Sequence, residues 1–360
     1  MLAEEIPDLA NEAESIRQEA QTICYQFGDG FIAITSEYAP LILDFHESFS
    51  EYEIASLAQP HVACEVKWTK DPDVIYLKFH RPENLDAMGF ALSLLEHPHG
   101  RPHYVEKDST VEGWRLIAGS RSGELAVAAR GTTAIIDTSV APPRFLIDYL
   151  LSTVFSLQNE LLFLHAASME IYGSGVLLLG PSGRGKTTLS MSLASKGHAF
   201  LGDDIAAVRV TTLELLPFRQ AVSVRSGPRG GALENLEQRS FDTEVGASGE
   251  KRLRFQINQV FPHSVPHPVI ASHAFFLRSF ANKPSAEPFV PSFDNPRWNE
   301  LTLNNVLLTF WGVTPERRLM QFLVFSKLLS KLRCWFIDSG APDETASFIE
   351  SITEDLWPLQ

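Results

Sequence analysis

Residues 161–210 read LLFLHAASMEIYGSGVLLLGPSGRGKTTLSMSLASKGHAFLGDDIAAVRV. Within them, Gly180-Pro181-Ser182-Gly183-Arg184-Gly185-Lys186-Thr187 satisfies the pattern GxxxxGK[ST] at every required place. Glycines let a backbone wrap a phosphate and turn several N–H groups inward. A helix starting at Gly185 adds the positive end of its dipole. Lys186 supplies a mobile cation for the β- and γ-phosphates, and Thr187 a hydroxyl for a magnesium ion. The flanks fit this reading. SGVLLL (174–179) reads as a buried strand, and 185–196 as a helix whose Leu189, Leu193 and Ala194 face a sheet. A glycine-rich turn that binds nothing gives no reason for Lys186 and Thr187 to stand side by side.

Two further groups lie nearby. Gly202-Asp203-Asp204 follows the strand-like HAFL, and an acid at the end of a neighbouring strand lies beside the metal in phosphate-loop folds. Two adjacent acids allow two jobs: one holds Mg²⁺ while its neighbour takes a proton from an attacking hydroxyl. His165 lies in LLFLHAASME (161–170), which reads as one strand joined to the next by the turn IYGSG. A lone histidine in an apolar strand suits the core as well as a site.

These elements together resemble the HPr kinase/phosphorylase family. That family shows a histidine, a strand, GxSGxGKS, a helix, Gly-His and an Asp-Asp pair. Here His165, Gly180–Thr187, Gly197-His198 and Asp203-Asp204 stand in that order. The GDD element is also similar to that of ATP-dependent phosphoenolpyruvate carboxykinases. The resemblance implies an α+β or α/β fold class, with a mainly β N-terminal domain followed by an HPr-kinase/carboxykinase-like phosphate-loop domain of mixed sheet and flanking helices. It implies phosphorylation of a serine on a peptide or protein, with ATP (or another nucleoside triphosphate) and Mg²⁺. The nucleotide would be held by Gly180, Ser182, Gly183, Arg184, Gly185, Lys186, Thr187 and Thr188, and the metal by Thr187 and Asp204. Asp203 is implied as proton acceptor and His165 as a group near the transferred phosphate. The family's EIRGLG-type signature is absent, and Pro217–Arg225 (PFRQAVSVR) takes its place. The layout of the whole chain is similar to that of HPr-kinase-like proteins found with peptide natural-product systems, some of which act on lasso-peptide precursors.

The remainder of the chain sets bounds. It has 360 residues, 44% hydrophobic and 21% charged, enough to bury a full core across two domains. The net charge of −14 argues against a nucleic-acid partner, which needs a basic face. Residues 1–150 hold 24 acids and 11 bases, whereas 151–360 hold 20 and 19. The N-terminal body is therefore acidic, a property that suits a basic peptide and also plain solubility. Cys24, Cys64 and Cys334 are odd in number and widely spaced, so neither a disulfide framework nor a zinc site is expected. The start MLAEEIPDLANEAES is acidic, and no apolar run approaches a membrane span; together these point to the cytoplasm, with no membrane partner.

Domain boundaries follow from Ala141-Pro142-Pro143: an acidic, β-rich domain over 1–140, suspected in substrate recognition, and a kinase-like domain over 141–360. Helix is expected at 3–20, from Arg144 to Leu161, at 298–312, 314–331 and after Pro342-Asp343. Strands are expected at 24–36, 41–45 (LILDF), 61–68, 73–80, 113–118, 123–137, 198–210 and 333–338. Trp311, Phe322 and Phe325 read as core. Arg219, Arg225, Arg229, Lys251, Arg252 and Arg254 are candidates for steadying phosphate charge, or a solvated loop. EHPHGRPH (96–103) reads as a surface loop rather than a metal site. Two other function classes compete. A nucleotide-gated peptide-binding module or chaperone needs no general base, which the Asp pair argues against. A small-molecule or carboxykinase-like enzyme needs further motifs that are missing. Homo-oligomer formation is left open.

Overall fold

The computed structural model describes residues 21–55 apart from 29, 37 and 38, and the backbone of the strands between 62 and 137. It further describes 151, 155, 158, 160–225, 241–245, 251–264, 266–291 and 315–354. The chain forms two compact units, one over residues 1–158 with 310–313 and one over 159–309 with 314–360. The helices expected at 3–20 and 298–312, Trp311, Arg229 and EHPHGRPH lie outside the described residues, as does most of the helix expected from Arg144.

In the first unit, β1 (Gln21–Phe27) and β2 (Gly30–Ser36) form an antiparallel hairpin. Alternation buries Ile23, Tyr25 and Phe27 on one strand and Ile32 and Ile34 on the other. The stretch LILDF, expected as a strand, is instead part of helix α1 (Ala39–Phe49). Five apolar-rich residues do not distinguish a strand from a helix. The longer stripe does, because Ile42, Phe45 and Phe49 are all buried, and Pro40 is tolerated in a first helical turn. Phe45 and Phe49 pack on Tyr25 and Phe27, and Phe155 meets Phe27 edge-on at 6.2 Å.

The sheet continues through β3 (Glu53–Ile54), β4 (Val62–Trp68), β5 (Val74–His80), β6 (Lys107–Val111), β7 (Trp114–Ala118), β8 (Leu125–Arg130) and β9 (Thr133–Asp137). Its order is β3-β1-β2-β4-β5-β9-β8-β7-β6, with only β2 and β4 parallel among the described pairs. The run 123–137, expected as one strand, is an antiparallel pair with Arg130 opposite Thr133. β6, with the polar sequence KDSTV, carried no strand signal.

The second unit is a mixed sheet with helices on both faces. Its strands are β10 (Leu161–Leu164), β11 (Ala166–Ile171), β12 (Ser174–Leu179), β13 (Ala199–Gly202), β14 (Ala206–Arg209), β15 (Glu214–Leu216), β19 (Val269–Phe280), β20 (Ser285–Phe289) and β21 (Arg333–Ser339). The order runs β10-β14-β15-β19-β12-β11-β13, and β21 pairs with both β19 and β20. β12 and β19 are parallel, as are β19 and β21.

One face packs on α2 (Lys186–Ser195), on α5 (Pro342–Glu354) and on a small sheet. That small sheet has the order β16 (Val222–Arg225), β18 (Lys251–Phe255), β17 (Asp242–Val245), and is followed by α3 (Ile257–Val260). Leu189, Leu193, Ile349, Val224 and Phe255 meet there. The other face packs on α4 (Pro315–Leu329) through Phe325, Leu328 and Leu329. Phe325 is core as expected, and Phe322 is half-buried. No helix among the described residues is long and apolar enough to cross a membrane.

Candidate active site

The phosphate loop joins β12 to α2, as the strand-loop-helix pattern predicts. Gly180 sits at φ 141°, and a Cβ there would fall 2.7 Å from the Leu277 carbonyl oxygen. Only glycine lets the loop leave the sheet this close to β19. No side chain caps α2 at Gly185, and the first-turn amides of a helix lack intrahelical acceptors. Uncapped first-turn amides of this kind are donors that suit an anion. Ser182 and Gly183 are exposed, while Arg184, Thr187 and Thr188 are half-buried.

Lys186 is buried, 5% exposed. Its Nζ donates to the carbonyls of Gly180 (2.8 Å) and Pro181 (3.3 Å) and lies 3.1 Å from His165 Nε2. Burial pulls its pKa below the ordinary lysine value, and the charges of Asp204 and Asp203 oppose that.

His165 does not lie within a strand. The run 161–170, expected as one strand, breaks at His165 into β10, which pairs with β14, and β11, which pairs with β12 and β13. The half-buried ring at the break thus reaches the loop lysine instead of packing in the core.

The expected strand 198–210 also breaks, at the Asp pair. Ile205 N–H donates to the Asp203 carbonyl at 2.7 Å and Asp204 has φ 60°, which makes a three-residue turn around a left-handed non-glycine residue. A Cβ at Gly202 would fall 2.7 Å from the carbonyl oxygens of both Ile205 and Phe218. The turn therefore presses against the segment that replaces the EIRGLG signature. Phe218 N–H donates to the Leu201 carbonyl at 2.7 Å, and Gln220 Nε2 to the Asp203 carbonyl at 3.1 Å.

The two acids differ in environment: Asp203 is buried, 4% exposed, and Asp204 is exposed. Burial, then the neighbouring Asp204 charge, pushes the Asp203 pKa up to about 7, against the lowering effects of a hydrogen bond from Thr187 and the Lys186 charge. Asp203 Oδ1 has no hydrogen-bond partner among the described residues. Thr187, Lys186, His165 and Asp203 thus come together at one edge of the sheet, with Asp204 on the outer side of the turn.

The basic candidates are spread out. Arg219 is buried and donates to the Ser264 carbonyl at 3.1 Å. Arg225 stands opposite Arg252, and Arg254 opposite Ser223, in the small sheet. Gln220 was not singled out by the sequence, and neither was Phe280, an exposed ring beside Gly185. Neither position carries a local signal, because both meet the site only through sheet packing.

Residues 158–221 match the family model for the HPr Serine kinase C-terminal domain. The HPr kinase/phosphorylase of Chlorobium luteolum is 31% identical over 86 residues, covering 24% of this chain and 25% of that protein. The HPr kinase/phosphorylase of Streptococcus pneumoniae is 30% identical over 135 residues, covering 36% and 43%. The chain thus spans less than half the length of these curated relatives. The solved Hpr(Ser) kinase/phosphatase from Coxiella burnetii shares 12% identity at a TM-score of 0.26, covering 54% of this chain and 94% of that one. Around its phosphate loop and the strands that frame it, the chain is HPr-kinase-like.

Proposed function

We propose that the chain is a kinase that transfers the γ-phosphate of ATP to a serine hydroxyl of a peptide or protein. The observation that supports it best is a buried carboxyl, Asp203, poised near neutrality beside Thr187 and Lys186 of the phosphate loop. A serine hydroxyl is a poor nucleophile at neutral pH, and a positioned base with pKa near the working pH is the efficient remedy.

The oxygen donors fit a magnesium ion. Thr187 offers a hydroxyl and the exposed Asp204 a hard carboxylate oxygen, beside a buried Asp203 kept for the proton. Thr187 and Asp204 would hold the ion, which when bound would supply positive charge to offset that of the phosphates. The loop amides bind and orient the triphosphate. Lys186 neutralises developing charge, and His165 beside it keeps the ammonium aimed at the transferred group. Asp203 accepts the serine proton, and Gln220 fixes its backbone. The domain division we propose is a phosphate-loop domain over 141–360 and a partner-binding body over 1–140. The acid excess of residues 1–150 suits a basic peptide acceptor.

The test is incubation of the full chain with labelled ATP, Mg²⁺ and candidate peptides, with mass spectrometry to locate added phosphate on serine. Lys186→Ala and Asp203→Asn serve as controls. Equal labelling by Lys186→Ala removes the kinase reading. Full biological activity in Asp203→Asn favours a nucleotide-gated binding module, and transfer only to small molecules replaces the peptide acceptor.

A further inference from the structure

Phe280 ends β19 and is 62% exposed. Exposure of one large apolar side chain is ordinary. Its position is informative. A Cβ at Gly185, the residue that starts the phosphate-loop helix, would fall 3.7 Å from Phe280 Cε1. The ring therefore stands against the loop at the mouth of α2.

The strand order places it on a definite flank. In the sequence β19-β12-β11-β13, the loop leaves β12. β19 runs parallel to β12, so its end lies at the same edge. β11 runs antiparallel to β12 with Ala166 opposite Leu179, which brings His165 to that edge. β13 runs antiparallel to β11 with Gly202 opposite Ser168, which brings Asp203 and Asp204 there too. His165, Asp203 and Asp204 thus stand on the β11/β13 flank of the loop, and Phe280 stands on the β19 flank. A triphosphate gripped by the loop with its terminal phosphate toward Asp203 must carry its nucleoside away from that side.

We propose that Phe280 is the stacking platform for the base of the bound nucleotide. This rests on the phosphate-loop reading above and adds where the base lies. Every base has a π-face that an aromatic ring accepts, so the platform supplies affinity for the nucleoside without choosing between ATP and GTP. Asn282 and Lys283 follow the ring in the short exposed connection to β20.

The experiment is calorimetric binding of Mg-ATP, Mg-GTP and inorganic tripolyphosphate to the wild-type chain and to Phe280→Ala, Phe280→Tyr and Lys186→Ala. Phe280→Ala is expected to weaken both nucleotides by about 5- to 150-fold, the range of one base–aromatic stack, and to leave tripolyphosphate unchanged. Phe280→Tyr restores nucleotide affinity, and Lys186→Ala loses all three probes. Unchanged nucleotide affinity in Phe280→Ala overturns the platform alone. So does equal weakening of nucleotide and tripolyphosphate, which would mark a packing role beside Gly185. A wild-type chain that binds no probe overturns the phosphate-loop reading and the platform with it.

Discussion

Replacing Asp203 with asparagine should stabilise the protein while abolishing phosphoryl transfer, and the size of the gain should follow pH. The Asp203 pKa stands at about 7 in the fold against an ordinary carboxylate value of about 3.9. The folded state therefore holds this proton more tightly than the unfolded chain. The favourable contribution of the neutral carboxyl is complete below pH ~4 and is lost as pH rises through ~7. That difference in pKa corresponds to ~4 kcal/mol at most. Asparagine keeps the shape without the charge, but its amide enters a buried position where Oδ1 has no partner, which costs about 1–3 kcal/mol. The net expectation above pH 7 is a gain of about 2 kcal/mol, or roughly 4–8 °C in Tm for a unit of this size. The gain should shrink as pH falls from 7, reach zero near pH ~5 and turn into a loss of about 2 kcal/mol by pH ~4, where only the cost of the buried amide remains. The assay is thermal and urea unfolding of wild type and Asp203→Asn from pH 4 to 8, without nucleotide and with a chelator. A variant less stable than wild type at pH 8, or a difference that does not grow between pH 4 and 7, would refute the claim that this carboxyl is held near neutrality by burial.

Transfer activity of the wild type should rise with pH to a plateau as Asp203 deprotonates, with a midpoint below 7 because a magnesium charge beside it favours the carboxylate, measured as single-turnover rates across pH. Lys186→Ala should cut transfer by about 10²–10³-fold, and calorimetry should show weakened triphosphate binding in parallel. Gly180→Ala forces a Cβ to 2.7 Å from the Leu277 carbonyl at φ 141°, so unfolding experiments should show a loss of about 1–3 kcal/mol or more. Asp338 is held down at about 2, chiefly by its hydrogen bond from Arg278. Arg278→Ala should cost about 1 kcal/mol at neutral pH, reduced by solvent screening of a guanidinium one-third exposed, and this loss should fade as pH falls from 4 toward 2.

The legible parts of this molecule are those whose partners are chain neighbours. The phosphate loop is one continuous segment, and its glycines, lysine and threonine act within eight residues of one another. Strand alternation in β1, β2 and β4 and the stripe of α4 were readable for the same reason: each carries its own period. Short apolar runs were not, because Leu41, Ile42 and Leu43 stand in a row and fit a strand or a helix until Phe45 and Phe49 extend Ile42 into a helical stripe. The strand breaks at His165 and Asp203 were hidden because apolar residues continue on both sides, and only pairing with β14 and β13 shows where the chain turns.

The sequence carries the complete GxxxxGK[ST] pattern with Lys186 and Thr187 side by side, and two acids adjacent at 203 and 204. Only the tertiary structure decided which of those acids is buried and pressed toward neutrality, that His165 reaches Lys186, and that Phe280 stands against Gly185. The reason is physical. Burial, and the contacts among segments far apart in the chain, depend on strand register across a mixed sheet, and strands buried on both faces, such as β10 and β12, show no alternation from which that register can be read.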